Sequence, residues 1–209
     1  MDCTSATLAG IKTGCKDNMG GIKEAYIMLL KDLQNSNLTV EEAFQTYQLE
    51  GENNTEYDTD AERNSYHTII TIDTTAAGLF QKYTFRKQTG GLTSTLTVDD
   101  TVGTQYWTNS LTLQFSKMET VKAIEINALT VADSLVIVKD SNNKYWLLGY
   151  DNPVSTTEAT GQTGTAYGDL NGYTITLTDM SKFLPYEVTD TAMKTVIDAI
   201  KDKEDQEQA

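Results

Sequence analysis

The sequence predicts a mainly β chain of α+β type, in which one amphipathic helix interrupts the strands and a second helix closes the chain. Three observations carry this. Threonine-rich segments alternate apolar and polar residues at period two, as in Leu92-Thr93-Ser94-Thr95-Leu96-Thr97-Val98. Turn-forming clusters separate them, including Gln88-Thr89-Gly90-Gly91 and Asp99-Asp100-Thr101-Val102-Gly103. The period becomes clearly helical near residues 117–131 and again beyond 190.

Residues 1–21 mix small and polar types with Gly10, Gly14, Gly20 and Gly21 and read as an extended arm that orders by packing on something else. Ile22 to Leu30 follows a Gly-Gly pair, a poor helix start, and reads as a strand. Thr39-Val40-Glu41-Glu42 has capping-box form and predicts a short helix, and Glu50 to Asn64 reads as loop. His67–Ile72, Lys82–Arg86, Leu92–Val98 and Gln105–Phe115 read as strands. Ser116-Lys117-Met118-Glu119 repeats the capping-box form, and Met118, Val121, Ile124, Ala128 and Leu129 follow at helix spacing, an apolar stripe expected to cover a sheet. Ser134–Lys139 and Lys144–Tyr150 flank the turn Asp140-Ser141-Asn142-Asn143 and form a hairpin. Ser155 to Asp169 has little apolar content and reads as a long loop, a type usually functional or ordered on binding. Gly172–Thr178 is the next strand, and Pro185 is expected to end the β region. Asp190 caps a final helix with the stripe Ala192, Met193, Val196, Ile197 and Ile200, followed by a charged tail expected to be disordered in isolation. The organisation is thus an arm at 1–21, a β-rich domain at 22–188, and a helix with acidic tail at 189–209.

The chain has 209 residues, 39% of them hydrophobic, which is enough for a sizeable core and excludes wholesale disorder. There is no run of about 18 apolar residues, so no spanning helix is expected. The start, Met1-Asp2-Cys3-Thr4, lacks a basic stretch leading into an apolar one and does not read as a signal peptide. The formal net charge is −14. Such a body does not hold nucleic acid through phosphates, because that affinity comes from basic side chains releasing counterions.

Chemistry-bearing motifs are sparse. Cys3 and Cys15 with the one histidine, His67, are too few for a structural zinc site, which takes four ligands, and the two thiols read as free in a reducing compartment. His67 has no nucleophile pattern beside it and reads as structural. Gly161-Gln162-Thr163-Gly164 lacks the lysine of a phosphate loop. Counting a calcium loop from Asp58 puts Arg63 and Ile69 where glycine and glutamate are needed. Asp99-Asp100 and Asp58-Thr59-Asp60 read as solvated carboxylates. Tyr106, Trp107, Tyr145, Trp146 and Tyr150 are either core and subunit contacts or a sugar-binding platform. No catalytic group, cofactor or metal is expected.

Several stretches carry a resemblance. Leu8-Ala9-Gly10-Ile11, Cys15-Lys16-Asp17-Asn18 and Gly20-Gly21-Ile22-Lys23 belong to it, as do Tyr83–Lys87, Leu92–Asp100 and Leu113–Met118. So do Lys144–Asp151, Thr163–Asp169 and Tyr173–Leu177. Together, from about residue 8 to 188, they resemble virion structural proteins of crAss-like and related phages of gut Bacteroidetes; the final helix and tail lie outside the likeness. The resemblance implies a non-enzymatic subunit of a phage tail or head–tail neck ring. Its fold would be a β-sandwich or barrel of tail-tube-like type, located in the virion and assembled in the host cytoplasm. The implied partners are further copies of the chain and other tail, neck or portal-side structural proteins. DNA would pass through the bore without specific binding, and no membrane is involved. A capsid-decorating or fibre-associated virion protein and a carbohydrate-binding module are the alternatives. The expected assembly contacts are Ile11, Cys15, Ile22, Trp107, Thr163 and Tyr167, with residues 1–21 and 155–169 acting as clasps. Deleting residues 1–21 is expected to leave the β domain folded but impair assembly; unchanged oligomer size on size-exclusion chromatography would contradict the clasp role.

Overall fold

The structure, a computed structural model, describes residues 18–46, 67–86 and 88–207. In chain order the elements are β1 (Ile22–Leu29), α1 (Leu30–Asn35), α2 (Val40–Ala43), β2 (Phe44–Thr46), β3 (Thr68–Ile72), α3 (Thr74–Ala77), β4 (Gln81–Thr84), β5 (Gly90–Asp99) and β6 (Thr104–Ser116). There follow α4 (Thr120–Val131), β7 (Ser134–Asp140), β8 (Tyr145–Leu148), β9 (Ser155–Gln162), β10 (Gly172–Ser181), β11 (Tyr186–Val188) and α5 (Asp190–Glu207). They form a seven-stranded sheet of order β2-β3-β11-β8-β7-β1-β4 and a four-stranded sheet of order β5-β6-β10-β9. The small sheet is antiparallel throughout, whereas the large one is mixed, with β11 and β3 parallel.

The large sheet is apolar on both faces, and the pleat explains how. In β7, Leu135 and Ile137 enter one core while Val136 and Val138 enter the other. In β1, Tyr26 and Met28 oppose Ala25 and Ile27 in the same way. The first core lies under the helices, where α5 brings Ala192, Met193 and Val196, α3 brings Ala76 and Ala77, and α1 brings Leu33. The second core lies between the sheets, where Leu111, Leu113 and Phe115 of β6 and Ile175 and Leu177 of β10 meet the inner residues of β1 and β7. The order is therefore helices, large sheet, small sheet. A strand buried on both faces reads as a continuous apolar run, which is why Leu135-Val136-Ile137-Val138 shows no alternation.

The β7–β8 hairpin closes as its turn residues dictate. Asp140 Oδ1 accepts from the backbone N–H groups of Asn142 and Lys144, each at 2.8 Å, and Asn143 takes φ 64°, a conformation asparagine tolerates. The described end of the N-terminal arm grips this turn. Met19 N donates to Asn142 Oδ1 at 2.8 Å, Ser141 N donates to the Gly21 carbonyl, and Lys23 Nζ donates to the Ser141 carbonyl at 2.9 Å. Residues 18–21 thus belong to the domain; the rest of the expected arm lies outside the described residues.

Several expectations change. Residues 155–162 form β9 rather than the start of a loop: β10 offers an open edge, and backbone pairing along it needs no apolar side chains. Pro185 does not end the β region, because β11 follows it and pairs with β3 and β8. The final helix continues to Glu207, so its charged end is helical rather than disordered. It is capped by Thr189, whose Oγ1 accepts from Ala192 N at 3.2 Å, rather than by Asp190. The short helix after Thr39 carries the full capping box expected of it. The box expected at Ser116 does not form: Glu119 is the N-cap residue of α4, and its carboxylate pairs with Lys117 and Lys122. Of the stripe expected to pack, Leu129 faces the core, joined there by Ile126, whereas Val121 and Ile124 are 72% and 62% exposed.

Ile137→Ala is expected to destabilise the fold by about 2–5 kcal/mol, because it empties space in a fully buried strand, whereas Val121→Ala should stay within about 0.5 kcal/mol. Urea denaturation checks this, and equal effects would contradict the layer assignment.

Candidate assembly surface

The two sheets treat their edges in opposite ways. The large sheet ends in β2 and β4, which are three and four residues long. On β4, Lys82 stands at the edge and pairs with Glu24 at 2.8 Å. Short edge strands bearing lysine are a common protection against pairing with another chain. The small sheet ends in β5, ten residues, and β9, eight residues. Neither contains lysine, arginine or proline, β5 pairs with β6 in continuous register, and β9 carries a single bulge at Thr157. Both edges are long and carry little protection.

Pleat parity sorts the small sheet into a core side and an outer side. Outward lie Thr93, Thr95 and Thr97 of β5, Thr108, Ser110 and Thr112 of β6, and Thr174, Thr176 and Thr178 of β10. They stand in cross-strand rows, Thr93 beside Ser110 beside Thr178 and Thr112 beside Thr176, and the hydroxyls of Thr157 and Thr178 lie 3.0 Å apart. No residue of the four strands is lysine or arginine. The result is a hydroxyl face whose four strands carry no cation, with Arg86 and Lys117 standing at its border beside Gln114 and Ser116.

The strand directions matter as much as the side chains. β5, β6, β10 and β9 alternate in direction, so the two edges run opposite ways. A neighbour placed with its β5 against this chain's β9 pairs antiparallel while keeping the same orientation. That contact is heterologous and repeats.

The expected contact residues are dispersed. Ile11 and Cys15 lie outside the described residues. Ile22 is 5% exposed in the inter-sheet core, so it offers a neighbour no surface and is corrected to a core residue. Thr163 is exposed and Tyr167 fully so, on the loop after β9, where Asp169 Oδ2 accepts from the N–H groups of Thr165 and Ala166 at 2.8 Å each. Those two donors hold the Asp169 carboxyl below its ordinary range. The loop is anchored to the start of α4, since Asn171 Oδ1 accepts from Met118 N at 3.1 Å. Trp107 is half-buried on the core side of β6, opposite Leu96. Trp146 packs against the same inter-sheet core, and its indole N–H donates to Asp140 Oδ2 at 3.3 Å. The sequence reading missed the edge contrast; its signal was the absence of lysine from the threonine strands.

Other chemistry is sparse. Asp99 accepts from Thr101 N at 2.9 Å in a turn, and Asp58 and Asp60 lie outside the described residues. Among the described residues, no group of three or more metal-ligating side chains converges. A cleft of about 480 Å³ beside β6 is lined by Arg86, Gln114, Lys117, Asp169 and Asn171, with neither a histidine nor a thiol. His67 sits elsewhere, against Phe183 and Tyr186 with ring centroids at 4.6 and 5.4 Å, and burial pushes its imidazole below its ordinary value. No family model, curated protein or solved structure matches the chain.

One buried acid ties the sheets together. Asp179, on the core side of β10, is 4% exposed, and its Oδ2 accepts from Gly149 N at 3.2 Å. Gly149 follows β8 at φ 93°, and a Cβ there would meet Leu135 and the Ser134 carbonyl, so glycine is required. Beside the acid, Asn109 Nδ2 donates to Ser181 Oγ at 3.0 Å. Burial raises the Asp179 carboxyl above its ordinary range. The folded state then holds this proton more tightly than the unfolded state. The contribution to stability is complete below the unfolded value and is lost as pH rises through the folded one. Asp179→Asn keeps an acceptor for Gly149 and removes the charge. It is expected to raise Tm at pH 7 by about 2–4 °C, equivalent to about 1 kcal/mol, with no gain at pH 3. Calorimetry at the two pH values checks this, and an equal shift at both would contradict it.

Proposed function

We propose that the chain is a non-enzymatic virion structural protein, one subunit of a phage tail or head–tail neck ring built around a passage for DNA. The observation that carries this reading is the small sheet: two long edges of opposite direction without lysine, arginine or proline, among four strands that hold no basic side chain. Antiparallel addition of β5 to β9 extends the sheet from copy to copy, and a rotation that closes makes it a barrel. In that barrel the threonine face turns to the passage. Threonine hydroxyls leave a polyanion hydrated and unheld, and the net charge of −14 adds repulsion. The remaining partners are the structural proteins above and below the ring in the tail or neck.

Negative-stain microscopy of the purified chain tests the reading, with rings around a central hole expected. A chain that stays monomeric at every concentration and is absent from labelled mature particles would overturn it. Thr95→Lys, which puts a charge on the β5 edge, should leave the fold within about 0.5 kcal/mol of the parent and shift the population to monomer by sedimentation. Unchanged ring size in that variant would remove β5 from the contact.

A further inference from the structure

Basic side chains gather at one end of the small sheet. β6 finishes there at Ser116, and β5 and β10 begin there, with Gly90 beside Leu113 and Gly172 beside Ser116. The cleft lined by Arg86, Gln114, Lys117, Asp169 and Asn171 lies at this end. Gln114 and Ser116 follow Thr108, Ser110 and Thr112 at period two, so the cleft continues the threonine face rather than the core side. The opposite end carries Asp99 and Asp100 at the β5–β6 turn, and Asp151 beside Lys182, whose backbone N–H donates to its Oδ2 at 3.3 Å.

The cleft is lined with donors. The Arg86 side chain is exposed, and its guanidinium has no hydrogen bond or ion pair among the described residues. Lys117 shares Glu119 with Lys122, so one carboxylate answers two ammonium groups. Lys122 Nζ also donates to the Ser116 carbonyl at 2.8 Å, which holds its charge at the end of β6. Asn171 Oδ1 accepts from Met118 N, so the amide N–H groups are what its side chain has left to offer. Asp169 is the opposing charge, with one oxygen turned to the N–H groups of Thr165 and Ala166. Arg86, Lys117 and Lys122 against Glu119 and Asp169 leave a surplus of one positive charge, in a chain of net charge −14. A guanidinium fork, an ammonium and two amides fit an anion with several oxygens, and a phosphate supplies them.

We propose that this cleft receives a backbone phosphate of the DNA, and that it makes the mouth of the passage at Ser116 cationic while the mouth at Asp99 stays acidic. The inference rests on the ring reading and deepens it. Copies joined β5 to β9 keep one orientation, so every copy brings its cleft to the same rim. The occupant is nucleic acid rather than a protein carboxylate because the cleft opens on the side that faces the passage. One surplus charge per copy makes each contact weak and sensitive to salt, and repetition around the rim gives the contacts their combined effect. The threonine rows between the two mouths leave the polyanion free to slide.

Fluorescence anisotropy of a short labelled duplex DNA, titrated with the assembled full chain at several salt concentrations, tests this. Binding that weakens steeply with salt is expected. Arg86→Gln and Lys117→Gln, both at exposed positions, should each weaken it about threefold or more and flatten the salt slope, with circular dichroism and ring size unchanged. Lys182→Gln, at the acidic mouth, should keep the parent affinity and slope. Rings that bind no duplex, or bind it equally with Arg86→Gln, overturn the proposal and leave the ring reading intact. Rings lost in Arg86→Gln make the guanidinium a contact between copies and overturn it as well. A parent chain that never associates overturns both readings. In a parallel arm, inorganic phosphate replaces chloride at matched ionic strength. A rise in Tm that Arg86→Gln abolishes, without duplex binding, would assign the cleft to a free anion and overturn the DNA contact.

Discussion

The fold depends on one strand pair buried on both sides. β1 and β7 lie side by side near the middle of the large sheet, from Ile27 beside Val136 to Ala25 beside Val138. Each sends successive side chains into different cores. The helix layer and the small sheet never share a core, yet both are held by these strands. A one-residue slip would exchange the two side-chain sets between cores of different shape, so the register is fixed twice over.

That constraint leaves the small sheet free to differ from the rest of the molecule. Its inner side has to fill the second core and does so with Leu111, Leu113, Phe115, Ile175 and Leu177. Its outer side is mostly threonine, serine and glutamine, with Tyr106, Glu158 and Met180 among them. Among the described residues its edges pair with no further strand, and α4 lies beside β9 on the core side without pairing with it. The large sheet ends in short strands, one of them carrying Lys82, while the small sheet ends in long strands without lysine, arginine or proline.

Much of this was legible from residue types. The period-two threonine strands, the β7–β8 turn at Asp140–Asn143 and the capping box at Thr39 all follow local chemistry, and the structure has them. What was not legible depended on partners distant in sequence. β9 is polar on both sides and becomes a strand only because β10 runs beside it. α4 has more apolar residues than one face can bury: sequence spacing picked Val121, Ile124 and Leu129, and the core took Leu129 but with Ile126 in place of the other two. Ile22 was expected at an assembly contact, yet the pleat of β1 places it inside. The candidate surface was visible only in part, because an unprotected edge is a property of strand order, which no local pattern contains.

The central claim is that β5 and β9 complete their backbone hydrogen bonding in a neighbouring copy. Hydrogen exchange followed by mass spectrometry, on the dissociated and the associated chain, tests it most directly. The account predicts that amides in residues 90–99 and 155–162 exchange quickly in the free chain and become protected on association, with β1 and β7 slow in both states. Protection that appears elsewhere while both edges keep exchanging would contradict it.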